Sequence, residues 1–253
     1  MSTLTVYPDA ASGSTTCDGQ VANYPGGAGV VWATLIAASG NFNDVNTTAG
    51  GLIQIESTTT TDQWDAMLRS IFTLDTSALT SSASISSAIF SIYGSTKADN
   101  IACSPTINVY DATPAVNNNL ADGDFSQCGS TSFLDSSLTY SAWSTTGYND
   151  FTFNATGVAA ISKTGITKLS IRNANFDVAA TSPTWPGGSA KQSYMAGNFA
   201  DTADVTSDPK LVITYTILVG PANLKTWDGL ATASVKTIDG LAMASVKTWN
   251  GLV

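Results

Sequence analysis

Ile85-Ser-Ser-Ala-Ile-Phe-Ser-Ile-Tyr93 decides the fold. Its β-branched and aromatic residues suit a pleated, half-buried surface, and its period-two alternation is clearest over Ala88–Tyr93. Just before it, Leu68-Arg-Ser-Ile-Phe-Thr-Leu-Asp-Thr-Ser-Ala-Leu79 carries the same signature into a turn. Working outward, further strands are expected at Leu4–Tyr7, Val30–Ile36, Leu52–Glu56, Thr106–Tyr110, Asp150–Phe153, Ile166–Arg172 and Leu211–Leu218. A single short helix is expected over Thr156–Lys163, capped by Thr156, with Val158, Ala159 and Ile161 facing the sheet and Gly165 ending it. Such strands must bury two inner faces. Phe72, Leu74, Ile89, Ile92, Leu169, Ile171, Leu211 and Ile213 are the residues expected to fill that core. The fold class is therefore all-β, an antiparallel sandwich.

Composition agrees. Of 253 residues, 30 are Ser and 35 Thr, and a single Glu, Glu56, stands against 18 Asp. Helix formers are scarce and strand and turn formers abundant. Charged residues make up only 11%, against roughly 25% in an ordinary soluble domain. Histidine is absent, which removes His-based acid/base catalysis, Ser-His-Asp and Cys-His nucleophiles, and zinc sites with imidazole ligands. A net charge of −9 and only two arginines, Arg69 and Arg172, argue against a phosphate-reading surface, so no nucleic-acid partner is expected. No apolar run approaches about 18 residues, so membrane insertion is not expected. The N-terminus has neither a basic nor an apolar leader region, so the chain is expected to stay in the cytoplasm unless a leader has been removed. Three cysteines without C-x-x-C spacing allow at most one bridge, Cys103–Cys128.

In order along the chain, Leu68–Leu79, Ile85–Tyr93, Phe151-Thr-Phe-Asn-Ala-Thr-Gly-Val158, Leu169-Ser-Ile-Arg172 and Asp208-Pro-Lys-Leu-Val-Ile-Thr-Tyr215 resemble the motifs of DNRLRE-type jelly-roll domains. Tyr7–Ala10 through Tyr24 match more weakly, and the motif that names the family is not intact. The resemblance covers about residues 1–218. It implies a jelly roll of eight or more antiparallel strands and a repertoire of glycan-binding, cell-surface and virion-associated modules.

Residues 225–253 follow another rule. Lys225-Thr-Trp-Asp-Gly-Leu-Ala, Lys236-Thr-Ile-Asp-Gly-Leu-Ala and Lys247-Thr-Trp-Asn-Gly-Leu repeat every eleven residues. Asp-Gly and Asn-Gly at fixed phase favour two-residue hairpin turns, so a short β-hairpin ribbon is expected here, joined to the sandwich (1–218) by a linker over 219–224. Three lysines and two aspartates give the tail +1, leaving −10 for the rest. Neither ribbon face is apolar enough to form a core alone. Trp227, Leu230, Ile238, Leu241, Trp249 and Leu252 are accordingly the expected oligomerisation or anchoring residues, in a homo-oligomer with a trimer favoured, or against other virion proteins. The repeats also resemble C-terminal tails of phage and other viral surface proteins.

Chemistry is sparse. Asp62/Asp65, Asp122/Asp124 and Asp201/Asp204/Asp208 are the only candidate carboxylate sets, and all lie in loops that aspartate stabilises as a turn former, so no enzyme is expected. No cofactor is expected, with calcium at Asn117, Asn119, Asp122 and Asp124 as the one metal candidate. Trp64, Trp143 and Trp185 sit in polar stretches where indoles can stack on sugars or plug the sandwich ends, the second being favoured for each. Two expectations result: a non-enzymatic structural or adhesion protein on the surface of a virus particle, such as a bacteriophage decoration, fibre or receptor-binding component that meets a host-surface glycan; or a carbohydrate-binding module of an extracellular bacterial protein.

Overall fold

The computed structural model describes residues 1–10, 14–201 and 205–217, together with the backbone of 226–227, 230–231, 237–238 and 241–242. In chain order it forms β1 (Ser2–Val6), β2 (Asp18–Asn23), α1 (Trp32–Ala37), β3 (Phe42–Asp44), β4 (Ala49–Ser57), β5 (Trp64–Asp75), β6 (Ala83–Asp99), β7 (Thr106–Ala112), β8 (Cys128–Ser132), β9 (Leu138–Thr139), β10 (Tyr148–Thr152), α2 (Ala155–Ala160), β11 (Ile166–Asn173), β12 (Lys191–Asn198) and β13 (Lys210–Ile217). The pairings among these strands are antiparallel, as expected of an all-β sandwich.

The long strand β6 belongs to both layers. Its first part pairs with β13 and β10, and β13 pairs in turn with β1. From Gly94 onward it pairs with β12, which continues through β4, β5, β11 and β7 to β8. At Gly94 a Cβ would collide with the carbonyl oxygen of Ser144, so only glycine lets the strand pass from one layer to the other beneath that loop.

Between the layers lies the main core. Phe90, Phe151, Leu211 and Ile213 meet Phe72, Leu74, Ile107, Val109, Leu169, Ile171 and Met195, all buried. Phe72 packs edge-on to Phe90 at 5.1 Å and stacks on Phe199 at 5.7 Å. Burying each large apolar side chain stabilises the fold by about 1.5–3 kcal/mol. Seven of the eight expected core residues are buried. Ile89 is only half-buried, because the inward positions of β6 are Ala88, Phe90 and Ile92, and Phe90 takes the place expected of Ile89.

A second apolar cluster covers the opposite face of β5, where Met67 and Ile71 meet Cys17, Val21, Trp32, Leu35, Trp64, Leu120, Phe125 and Cys128. The expected strand Val30–Ile36 is here a helix, α1, in which Trp32 and Leu35 share one buried face. An apolar run this short has no period of its own, and packing against Trp64 decides it. The second helix is α2, capped by the Asn154 side chain accepting from the Gly157 N–H rather than by Thr156; Ile161 and Val158 face inward and Ala159 is exposed.

The backbone of the tail pairs Trp227 with Leu230 and Ile238 with Leu241, giving β14 (Thr226–Trp227), β15 (Leu230–Ala231), β16 (Thr237–Ile238) and β17 (Leu241–Ala242). Two residues separate the partners in each case, as expected of Asp-Gly hairpins. Trp249 and Leu252 lie outside the described residues. Among the described residues no helix is long and apolar enough to cross a membrane.

Candidate functional site

Both arginines of the chain converge on one carboxylate. Asp177, on a π-helical turn over Ala174–Val178, accepts from Arg69 Nε at 2.8 Å and Nη2 at 2.6 Å, and from Arg172 Nε and Nη2 at 2.8 Å each. The remaining donors reach carbonyls: Arg69 those of Phe125 (2.6 Å) and Ile36 (3.0 Å), Arg172 those of Cys128 (3.0 Å) and Gly129 (2.7 Å). The Arg69 guanidinium also lies 3.8 Å over the Phe125 ring. Burial by itself pushes the Asp177 carboxyl up, but the Arg69 charge and the hydrogen bonds from both arginines overcome it and hold the group below the usual carboxylate range. Asp65 and Asp75, the acids nearest Arg69 along the chain, do not pair with it. With both forks consumed, this triad is a staple for the second core and leaves no arginine to meet a ligand.

A second buried acid, Asp18, lies on β2. One carboxylate oxygen accepts the Ala200 N–H at 3.0 Å, and the other is buried without a partner. Burial pushes this carboxyl well above the usual range, and the Asp201 and Asp208 charges add to it while the Ala200 N–H opposes it. Sequence inspection missed Asp18 because β2 carries polar residues at buried positions and shows no apolar period. Asp204 lies outside the described residues, and among the described residues no group of three or more acidic or cysteine side chains is placed to hold a metal.

Two of the three tryptophans considered for sugar stacking are core side chains. Trp64 is 0% exposed and Trp143 2%, so neither offers a ring face to a ligand. Trp185 is half-buried against the second cluster and donates from Nε1 to the Thr58 carbonyl at 3.2 Å. In the loop considered for calcium, Asp124 is buried and accepts the N–H groups of Ala115 and Ala121 at 2.9 and 2.8 Å. Asp122 accepts from the Asn43 amide at 2.7 Å and Asn119 from the Leu120 N–H at 2.9 Å. Asn117 supplies its backbone carbonyl to Thr73 Oγ1 at 2.6 Å. Asn119 and Asp124 close the loop on itself, while Asp122 ties it to β3 and Asn117 to β5.

Cys103 and Cys128 are not bridged. All three cysteines are free and belong to or border the second cluster. Burial pushes each thiol up to about 12.

An open groove of about 490 Å³ lies across β4, β12 and the C-terminal part of β6, with Gln54, Gln192, Tyr194, Ser95 and Thr96 around Ala49-Gly50-Gly51 and Ala196. Tyr194 stands opposite Gln54 in the β4–β12 ladder, and Gln192 opposite Glu56. Gln54 donates to Glu56 at 3.3 Å, and the Gln20 carboxamide is fixed beneath by donation to the Gly51 carbonyl at 2.8 Å. Burial and the Asp65 charge raise the Glu56 carboxyl above its usual value, with the Gln54 amide opposing. The Gln-Ile-Glu and Gln-Ser-Tyr alternations were visible in the sequence, but nothing in it brings strands 140 residues apart side by side. Comparison with protein-family models and with curated proteins finds no match to the chain.

Proposed function

We propose that the chain is a non-enzymatic structural or adhesion protein of a virus particle, a bacteriophage decoration, fibre or receptor-binding component, with a jelly-roll sandwich displayed outward and the repeat tail as its means of attachment. The observation that carries this proposal is the repetition of one hairpin unit, Trp227 opposite Leu230 and Ile238 opposite Leu241, eleven residues apart beyond the last sandwich strand. An isolated two-stranded hairpin is marginal in water, so a ribbon built from such units needs a neighbour, and a second or third copy of the same ribbon presents the same apolar side chains. Strand edges without proline recruit such partners. The sandwich supports a display role: its arginines are spent on internal structure, and its exterior is rich in Ser and Thr.

The test compares the full chain with one truncated after Gly220, which keeps every sandwich strand, by light scattering and by incorporation into particles. The full chain is expected to oligomerise, with a trimer favoured, and the truncated one to remain a folded monomer. Trp227→Ala with Trp249→Ala is expected to weaken assembly and leave the thermal transition in place. The same oligomeric state and equal incorporation for both chains would overturn the proposal.

A further inference from the structure

We propose that the groove across β4, β12 and the C-terminal part of β6 binds an uncharged oligosaccharide, held by Gln54, Gln192 and Tyr194. The inference rests on the adhesive part of the function proposed above and locates it at residues different from the tryptophans read from the sequence.

The concavity has an identifiable cause. Antiparallel ladders twist smoothly, and a local hollow needs a local irregularity. Here both neighbours of β12 are bulged against it almost at the same point, β4 opposite Met195/Ala196 and β6 opposite Ala196/Gly197. An extra residue on each flanking strand kinks the sheet and increases its twist there. The run Ala49-Gly50-Gly51 and the small Ala196 then leave the hollow unfilled. Its volume of about 490 Å³ falls within the roughly 300–1,000 Å³ of small-molecule sites.

The lining determines the class of ligand. Gln54 and Gln192 each present a carbonyl acceptor and an NH₂ donor, the combination that matches neighbouring hydroxyls on one ring, and Ser95 and Thr96 add groups that donate or accept. Tyr194 adds an aromatic body with a polar tip. A ligand that offers both hydroxyls and an apolar ring face is a sugar. No charged residue lines the groove, and the nearby cations are engaged elsewhere: Lys97 donates to the Tyr140 and Trp143 carbonyls at 2.7 and 2.8 Å, and both arginines hold Asp177. Glu56 at the margin repels anions. Phosphorylated, sulfated and uronic-acid ligands are thereby disfavoured, and an uncharged glycan is selected.

Gly51 provides a selective block. A Cβ there meets only ordinary contacts, with the Leu68 side chain at 3.7 Å, whereas at Gly50 it would collide with the Gln20 amide. Gly51→Leu builds onto that position, and its unfolding midpoint reports whether the Leu68 and Gln20 side chains beside it are disturbed.

The experiment titrates the full chain with maltotriose, cellotriose, xylotriose and mannotriose, and with a trimer of glucuronic acid, by calorimetry and by intrinsic fluorescence. Saturable millimolar-range binding of at least one neutral trisaccharide is expected, with none of the acidic one. Tyr194→Ala and Gln54→Ala are each expected to weaken it about tenfold, and Gly51→Leu to abolish it with an unchanged unfolding midpoint. Asp150→Asn, in a separate recess of about 340 Å³, is expected to leave it unaltered. No binding of any neutral trisaccharide, stronger binding of the acidic one, or neutral binding that survives Gly51→Leu and Tyr194→Ala would overturn the proposal. The outcome is separable from that of the tail experiment: a chain that oligomerises and enters particles without binding sugar loses only the groove, and a monomeric chain that binds sugar loses only the tail.

Discussion

Arg69 and Asp177 stand 108 residues apart in the chain and meet through a two-pronged hydrogen bond, Nε at 2.8 Å and Nη2 at 2.6 Å. Arg69 also occupies a junction. Met67 and Leu68 pair with both β2 and β4, while Ser70, Ile71 and Phe72 pair with both β2 and β11. It follows that β4 and β11 lie one after the other along the same edge of β5, and Arg69 sits where one gives way to the other. The fork thus ties the strand junction to the turn after β11 and to the carbonyls that carry the second core.

Asp177→Ala leaves two buried guanidinium groups uncompensated and is expected to cost about 3–5 kcal/mol in urea denaturation. Arg69→Lys keeps the charge but cannot reach both carboxylate oxygens and two carbonyls with one ammonium, so it too is expected to destabilise, by about 1–3 kcal/mol. A urea midpoint for Arg69→Lys equal to that of the native chain would remove the fork geometry from the account.

The buried acids Asp18 and Asp177 act in opposite directions with pH. The folded-state pKa of Asp18 is raised, so the fold binds the proton more tightly than the unfolded chain and loses stability as pH rises from about 3.9 toward the folded value. Asp177 is lowered, so its contribution is present above about 3.9 and is lost as pH falls through its folded value. Asp18→Asn keeps an acceptor for the Ala200 N–H and removes the buried charge. It is expected to raise stability at neutral pH by on the order of 1–3 kcal/mol, with the gain vanishing below about pH 4. A gain equal at pH 4 and pH 7 in thermal unfolding would contradict the assignment.

Gly94→Ala places a methyl group against the Ser144 carbonyl oxygen at the point where β6 passes between layers. The expected loss is about 1–3 kcal/mol, from overpacking against backbone that cannot yield. The same change at Gly123, where nothing lies within contact, is the control and is expected to leave the thermal midpoint nearly unchanged.

The three thiols, Cys17 and Cys128 buried and Cys103 half-buried, all pushed up to about 12, are expected to react slowly with a thiol reagent at neutral pH in the native protein and fully in denaturant. Non-reducing mass analysis is expected to find three free cysteines. A Cys103–Cys128 bridge in freshly purified protein would require the second core to rearrange.

The strands most legible in the sequence were those with one apolar and one polar face or with a β-branched run, such as the first part of Leu68–Leu79, found within β5, and Ile166–Arg172, found within β11. Strand β2 escaped notice because its six residues are all buried while three are polar. Asp18, Gln20 and Asn23 are accommodated by the Ala200 N–H and the Gly51 and Leu35 carbonyls, partners that exist only after folding. Strand β12, with Lys, Gln, Ser, Tyr and Asn among its residues, escaped for the same reason.

By itself the sequence determined the class of the fold, the exclusion of histidine chemistry and the two-residue hairpin turns of the tail, because composition, side-chain period and Asp-Gly pairs act over a few neighbouring residues. Only the tertiary structure decided that Trp32–Ala37 is a helix, that Trp64 and Trp143 are core, that both arginines share Asp177, and that Gln54 faces Tyr194. Each of these depends on a partner brought near by the ladders, and the energy of a buried charge or indole is set by what surrounds it, which no local pattern encodes.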